Sequence, residues 1–127
     1  MTDRGATLVV VEDDEDVRRA LTRFLTSYGF GVRAFESAEA SLAEVGPADV
    51  AIVDINLPGM SGLELDDRMK REGRGIPTIF ITAQDEPALA SDSRTILQKP
   101  LDPQFLLDVI DHVLATRDGP GVIGKSS

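Results

Sequence analysis

The chain has 127 residues with 22 acidic against 13 basic side chains, a formal charge of −9, and no cysteine. That length fits one domain able to bury a core. The charge argues against a surface for the phosphate backbone of nucleic acid, and the missing cysteine removes disulfide and thiol chemistry. The opening Met1-Thr2-Asp3-Arg4 lacks the apolar core of a signal peptide and no run is long enough to span a bilayer, so a cytoplasmic protein without membrane contact is expected.

Thr7-Leu8-Val9-Val10-Val11 is a β-branched run and the first predicted strand. It meets five successive acids, Glu12-Asp13-Asp14-Glu15-Asp16. Val17, Leu21, Phe24, Leu25 and Tyr28 then recur at helical spacing, and Gly29 suits a left-handed cap. Carboxylates near a helix N-terminus favour the macrodipole, which accounts for Asp14, Glu15 and Asp16. It does not account for Glu12 and Asp13, at the end of the strand. Phe30 to Phe35 alternates weakly, as an edge strand would. Ser37 is placed to cap a short helix through Ala38, Leu42 and Val45, stopped by Gly46-Pro47.

Val50-Ala51-Ile52-Val53-Asp54 is continuously apolar up to its acid, the pattern of a buried parallel strand. Ser61 and Glu64 have capping-box spacing and open a helix to about Arg71, followed by Gly73 and Gly75. Ile76 to Thr82 is the fourth strand, with Pro77 near its start. The pattern then thins. Asp85-Glu86-Pro87 can start a helix through Ala88, Leu89 and Ala90, but Ser91-Asp92-Ser93 offers no apolar face, so two turns at most or an irregular loop are expected. Thr95-Ile96-Leu97-Gln98 is the last strand, followed by Lys99-Pro100. Asp102-Pro103 opens a final helix with an apolar stripe at Phe105, Leu106, Val109, Ile110, Val113 and Leu114. Residues 7–116 are expected to form the domain, and 117–127, with Gly119-Pro120-Gly121, a flexible tail or linker.

Strands alternating with helices predict an α/β fold, a doubly wound five-stranded parallel sheet with helices on both faces. Such sheets bind ligands at the carboxyl ends of their strands. That edge would gather Glu12, Asp13, Asp54, Thr82 and Lys99. Carboxylates converging from separate strands repel unless a cation or proton lies between them, and an oxygen-only donor set favours a hard cation such as Mg2+. With a lysine for a phosphate-like group, a hydroxyl and a carboxylate nucleophile, the set suits phosphoryl transfer to Asp54. Singly, each residue has a plainer explanation: a loop-starting Asp, a strand Thr, a solvated Lys. Their assembly at one edge points to chemistry.

Val10-Val11-Glu12-Asp13-Asp14, Asp54-Ile55-Asn56-Leu57-Pro58-Gly59-Met60-Ser61-Gly62, Ile81-Thr82-Ala83 and Lys99-Pro100, in that order, resemble the receiver domain of two-component response regulators over about residues 7 to 116. The resemblance implies the flavodoxin-like strand order 2-1-3-4-5. It implies that Asp54 is the phosphoacceptor, taking the phosphoryl group from a sensor histidine kinase or phosphotransfer protein. Asp13 would bind Mg2+ directly and Glu12 through water, with Asp54 and the Asn56 backbone carbonyl completing the protein ligands. Thr82 would hydrogen-bond the phosphoryl group and Lys99 would pair with it, beside the small Ala83. Asn56 and Gln84 would tune the lifetime of the phosphate.

The same resemblance implies a signalling module with intrinsic phosphoacceptor and self-dephosphorylation chemistry, not an enzyme acting on a diffusing metabolite. Its output would be a conformational change read by a downstream protein or output domain, or a phosphorylation-dependent dimer, with no direct nucleic-acid binding by this domain. Phe35-Glu36-Ser37-Ala38-Glu39 resembles a subgroup that often precedes a helix-turn-helix output domain. Two positions depart from the family pattern. The residue three before the lysine, usually an aromatic switch residue, is Ile96. Thr82 and Lys99 are 99 − 82 = 17 residues apart, so the fourth helix is expected to be shortened or irregular. The competing readings are a phosphorylation-independent receiver-like adaptor, an aspartyl phosphatase and a flavin-binding protein. The phosphatase would need a second Asp where Asn56 stands, and no Gly-rich loop follows the first strand.

Overall fold

The computed structural model describes residues 5–44, 46–83 and 94–117. Strands β1 (Thr7–Val11), β2 (Gly31–Phe35), β3 (Val50–Asp54), β4 (Thr78–Thr82) and β5 (Thr95–Gln98) form one parallel sheet in the order β2-β1-β3-β4-β5. Helices α1 (Glu15–Ser27), α2 (Ala38–Ala43), α3 (Gly62–Arg71) and α4 (Pro103–Arg117) complete the described elements. This is the doubly wound sheet and strand order expected. The expected helix between β4 and β5, Gln84 and the tail beyond residue 117 lie outside the described residues.

Local chemistry starts and stops the helices. Asp14 caps α1, its Oδ1 accepting from the N–H groups of Asp16 (2.9 Å) and Val17 (3.1 Å). Gly29 ends that helix at φ 93°, where only glycine is unstrained. Ser61 and Glu64 form the expected capping box on α3. Two boundaries differ from expectation. α2 stops at Ala43, because Glu44 turns extended and leads the chain to Gly46 and Pro47, whose carbonyls accept from Arg33 Nη2 at 3.1 and 3.0 Å. β4 begins at Thr78, since Pro77 has no N–H to give the ladder and contributes only its carbonyl, to Ala51 N–H at 2.9 Å.

Alternation along the strands splits the core between the two faces of the sheet. Leu8, Val10, Ile52, Ile79 and Ile81 face α1 and α4, where they meet Leu21, Leu25, Leu106, Leu107 and Ile110. Val11, Ala51, Val53 and Phe80 face α2 and α3, where Ala38 and Leu65 pack. The stripe expected on α4 is shifted. Leu107 is buried while Phe105 is 54% exposed. At 3.6 residues per turn Phe105 lies about 140° round the helix from Ile110, the centre of the buried face. The face between sheet and α3 also holds a buried carboxylate, Asp66, paired with Lys70 Nζ (2.9 Å) and approached by Arg94 Nε (3.7 Å). Arg94 thereby ties the start of β5 to α3.

α3 approaches β3 so closely that a Cβ at Gly62 would fall onto the Asp54 carbonyl oxygen and within 2.9 Å of Val53 Cγ1. The obstruction is largely backbone, which cannot swing aside. Gly62→Ala is expected to destabilise the domain by about 1–3 kcal/mol, read as a lower urea midpoint. An unchanged midpoint would show that α3 slides freely on β3.

Candidate functional site

Register brings the site residues together. Val11 pairs with Val53, so the next residues along, Glu12 and Asp54, stand side by side at the carboxyl edge. Asp54 is opposite Ile81, one residue before Thr82, and Thr82 is opposite Gln98, one residue before Lys99. β1 and β3 are also where the sheet reverses its winding, the place where doubly wound sheets keep their ligands.

Glu12 is fully buried (0% exposed), its N–H extending the ladder to the Phe35 carbonyl at 3.0 Å. Its Oε2 accepts from Asp14 N–H at 3.1 Å. Its Oε1 lies 2.9 Å from Lys99 Nζ, an ion pair without hydrogen-bond angles, and has no hydrogen-bond partner among the described residues. Asp54 is also buried; Oδ1 accepts from Asn56 N–H (2.9 Å) and Oδ2 from Lys99 Nζ (3.0 Å). Asp13 is exposed at the mouth. Glu12, Asp13 and Asp54 each bring a carboxylate oxygen within 4.8 Å of the others. Thr82 is buried, its hydroxyl accepting from Asn56 Nδ2 at 3.3 Å. Lys99 N–H donates to the Thr82 carbonyl at 2.8 Å, which fixes the lysine beside β4.

Of the residues singled out in the sequence, Glu12, Asp13, Asp54, Asn56, Thr82 and Lys99 therefore converge. Ile96 does not sit at this edge; it packs half-buried against the α2–α3 side of the core. Gln84 lies outside the described residues. Two residues at the rim were not anticipated. Arg18 Nη1 donates to the Glu12 carbonyl at 2.9 Å. Glu39 Oε2 accepts from Met60 N–H at 3.0 Å, holding the loop that follows β3. In that loop Gly59 has φ +77°, the left-handed conformation that favours glycine, and a Cβ there would come 2.7 Å from Glu39 Oε2 and push that side chain aside.

Burial pushes the Glu12 carboxyl above its ordinary range, and the Asp54 charge adds to the rise; Lys99 and the Asp14 amide offset only part of it. Burial pulls Lys99 down, but its contacts with Glu12 and Asp54 outweigh this and hold the ammonium above its usual value. A carboxyl raised on folding binds protons in the folded state that the unfolded chain has already lost, so its stability contribution falls as pH rises from 4.5 through the raised value. In a chelating buffer Glu12→Gln is therefore expected to gain on the parent over that window, measured as the difference in urea midpoints. A difference independent of pH would contradict it. Lys99 follows the same sign at higher pH: its contribution is complete below 10.5 and is lost as pH rises through its elevated value.

Three carboxylates against one lysine leave the pocket negative, and the donors are all oxygen. With Glu12 Oε1 buried and short of hydrogen bonds, the residues fit a hard divalent cation of the Mg2+ type.

Fold and site together define a doubly wound α/β module with an acidic, lysine-bearing pocket at the switch point of its sheet. The family model for the response regulator receiver domain matches residues 8–111, and the chain belongs to that family, the receiver domains of two-component response regulators. Among curated proteins, nodulation protein W of Bradyrhizobium diazoefficiens is 38% identical over 112 residues, covering 83% of this chain and 49% of that protein. A cyclic di-GMP phosphodiesterase of Thermotoga maritima is 31% identical over 116 residues, covering 87% of this chain and 32% of that protein. The chain thus spans half or less of the length of these two relatives. Among solved structures, the response regulator TrrA of Thermotoga maritima, in complex with Mg2+-BeF, superposes with a TM-score of 0.75 at 25% identity, covering 86% of this chain and 99% of that one. The family is one of signalling domains. Among the described residues no helix is long and apolar enough to cross a membrane.

Proposed function

We propose that Asp54 accepts a phosphoryl group from the phosphohistidine of a sensor histidine kinase or phosphotransfer protein, and that the resulting change in shape is read by a downstream protein or output domain. The observation that carries this reading is the Lys99 ammonium lying between Glu12 Oε1 (2.9 Å) and Asp54 Oδ2 (3.0 Å), with Asp13 completing the acidic cluster. An Asp54 carboxylate oxygen attacks phosphorus; the P–N bond to the donor imidazole breaks, and the imidazole leaves with its electron pair and takes a proton. Asn56 N–H holds Oδ1, so the carboxylate cannot turn freely as it attacks. Lys99 then exchanges its contact with Asp54 Oδ2 for the new phosphoryl oxygens, and the Thr82 hydroxyl donates to one of them.

Glu12, Asp13, Asp54 and the Asn56 carbonyl would hold Mg2+, which supplies positive charge to the transferring phosphoryl group. The Mg2+-BeF complex of TrrA supports that choice of ion. Asn56 and Gln84 set the lifetime of the phosphate by governing access of water. The unit acts in the cytoplasm as residues 7–116, with 117–127 a tail or linker, and turns over its own phosphate instead of a diffusing metabolite. Phosphorylation-dependent pairing of two copies is one available output. With Ile96 in place of an aromatic residue, the response is carried by Thr82 and the chain up to Lys99.

Intact mass spectrometry after incubation with acetyl phosphate and Mg2+, with a chelator control, tests the reading. The expected result is a gain of one phosphoryl group that requires Mg2+. No gain by a protein that still binds Mg2+ would overturn it in favour of a phosphorylation-independent adaptor. Amide hydrogen exchange should change on phosphorylation between residues 82 and 99; a response that skips this stretch would refute the route through Thr82.

A further inference from the structure

We propose that Arg18 is a positioning residue for the acidic pocket, clamping the turn between β1 and α1 by the backbone carbonyls of Glu12 and Asp13 and so setting where both carboxylates stand. The inference rests on the pocket being a Mg2+ site. Arg18 Nη1 donates to the Glu12 carbonyl at 2.9 Å and approaches the Asp13 carbonyl at 3.5 Å. One guanidinium nitrogen therefore spans the two consecutive peptides that carry the first two pocket acids. The geometry follows from the helix. Arg18 N–H donates to the Asp14 carbonyl at 2.9 Å in the first turn of α1, and side chains on a helix lean toward its N-terminus. The Arg18 side chain is thus delivered back over the turn that precedes its own helix.

The turn has few other restraints on these acceptors. The Glu12 N–H is taken by the Phe35 carbonyl and the Asp14 N–H by Glu12 Oε2. The Glu12 carbonyl sits where β1 ends and needs a donor that the sheet no longer supplies. Arg18 provides it, and among the described residues its guanidinium bonds these backbone carbonyls and no pocket carboxylate oxygen. A guanidinium suits the task because its planar, pre-organised head loses less freedom per hydrogen bond than an ammonium on a flexible stem.

Arg18 bears on Mg2+ affinity in two opposed ways. As a positive charge beside the acids it weakens cation binding; as a clamp it strengthens binding by holding the ligands in place. The charge effect is screened, since Arg18 is half-buried and faces solvent on one side. Partners that orient metal ligands typically matter by about 10–100-fold in affinity. The clamp should therefore win, and the sign of the change decides between the two roles.

The test is calorimetric titration with Mg2+ of the parent, Arg18→Met and Arg18→Lys, beside urea unfolding of each in a chelating buffer. Arg18→Met keeps the apolar stem and removes the fork; it is expected to weaken Mg2+ binding about tenfold. Arg18→Lys keeps the charge and an N–H donor head on a shorter, more flexible side chain, and is expected to recover part of that loss. Tighter or unchanged binding by Arg18→Met would show a mere counter-charge and overturn the proposal, as would full recovery by Arg18→Lys. If Arg18→Met does not fold, the Arg18→Lys comparison decides alone, with weaker binding than the parent expected. A parent that fails to bind Mg2+ overturns the reading of the pocket itself, and that failure shows in the parent titration before any variant is compared.

Discussion

Asp54→Asn is expected to take up no phosphoryl group from acetyl phosphate in Mg2+, under conditions that load the parent. The Asp54 carboxylate is the attacking group, and an amide nitrogen with a delocalised lone pair cannot replace it. The substitution should leave the fold intact. Asn retains a carbonyl oxygen to accept from Asn56 N–H, the bond that Asp54 Oδ1 makes at 2.9 Å, and it removes one of two buried carboxylates from around Lys99. Circular dichroism should therefore match the parent while intact mass shows no addition. Phosphoryl uptake by a folded Asp54→Asn would place the acceptor elsewhere, with exposed Asp13 the first residue to inspect.

Lys99→Ala should lower the stability of the domain when no metal is present. Glu12 is fully buried, and Lys99 supplies its ion pair at 2.9 Å while also bonding Asp54 at 3.0 Å. Removing one partner from a buried ion pair typically costs about 3–5 kcal/mol, because the remaining charge has lost its compensation. Lys99 is 23% exposed, so water can enter the space it vacates and the expected loss is nearer about 2 kcal/mol. Mg2+ should return much of it, since a ligand at a hundredfold excess over its Kd stabilises by about 2.7 kcal/mol. Urea unfolding in chelator and in excess Mg2+ measures both halves. An unchanged midpoint in chelator would mean that Glu12 is buried without needing the lysine. The variant should still bind Mg2+, while its change in amide exchange on phosphorylation should be weaker than in the parent.

Much of this architecture was legible because period and punctuation agree. The β-branched run before Glu12 and the apolar run before Asp54 read as strands, the second as a buried parallel one, and their register then sets the two acids side by side. Thr82 and Lys99 followed from the same rule applied to β4 and β5. What escaped the sequence depends on contacts between distant elements. Phe105 and Leu107 are equally apolar, and only the seating of α4 on the sheet decides that Leu107 is buried and Phe105 exposed. α2 ends early where Glu44 turns extended, and beyond it Arg33 reaches from β2 to the carbonyls of Gly46 and Pro47, contacts with no sequence signal. Glu39 meets Met60 across 21 residues with no periodic signal to announce it. Arg18 was the nearest miss. It lies four residues after the cap Asp14, and the backward lean of helical side chains already directs it over the acidic turn.

Reduction of the phosphorylated protein with borohydride, followed by peptide mass spectrometry, tests the central claim most directly. Borohydride converts an aspartyl phosphate into homoserine and so marks the acceptor in the chain. Homoserine is predicted in place of Asp54 and at no other acid. Homoserine in place of Asp13, or a phosphoryl group that survives borohydride on a hydroxyl such as Thr82, would contradict the assignment of Asp54 as acceptor.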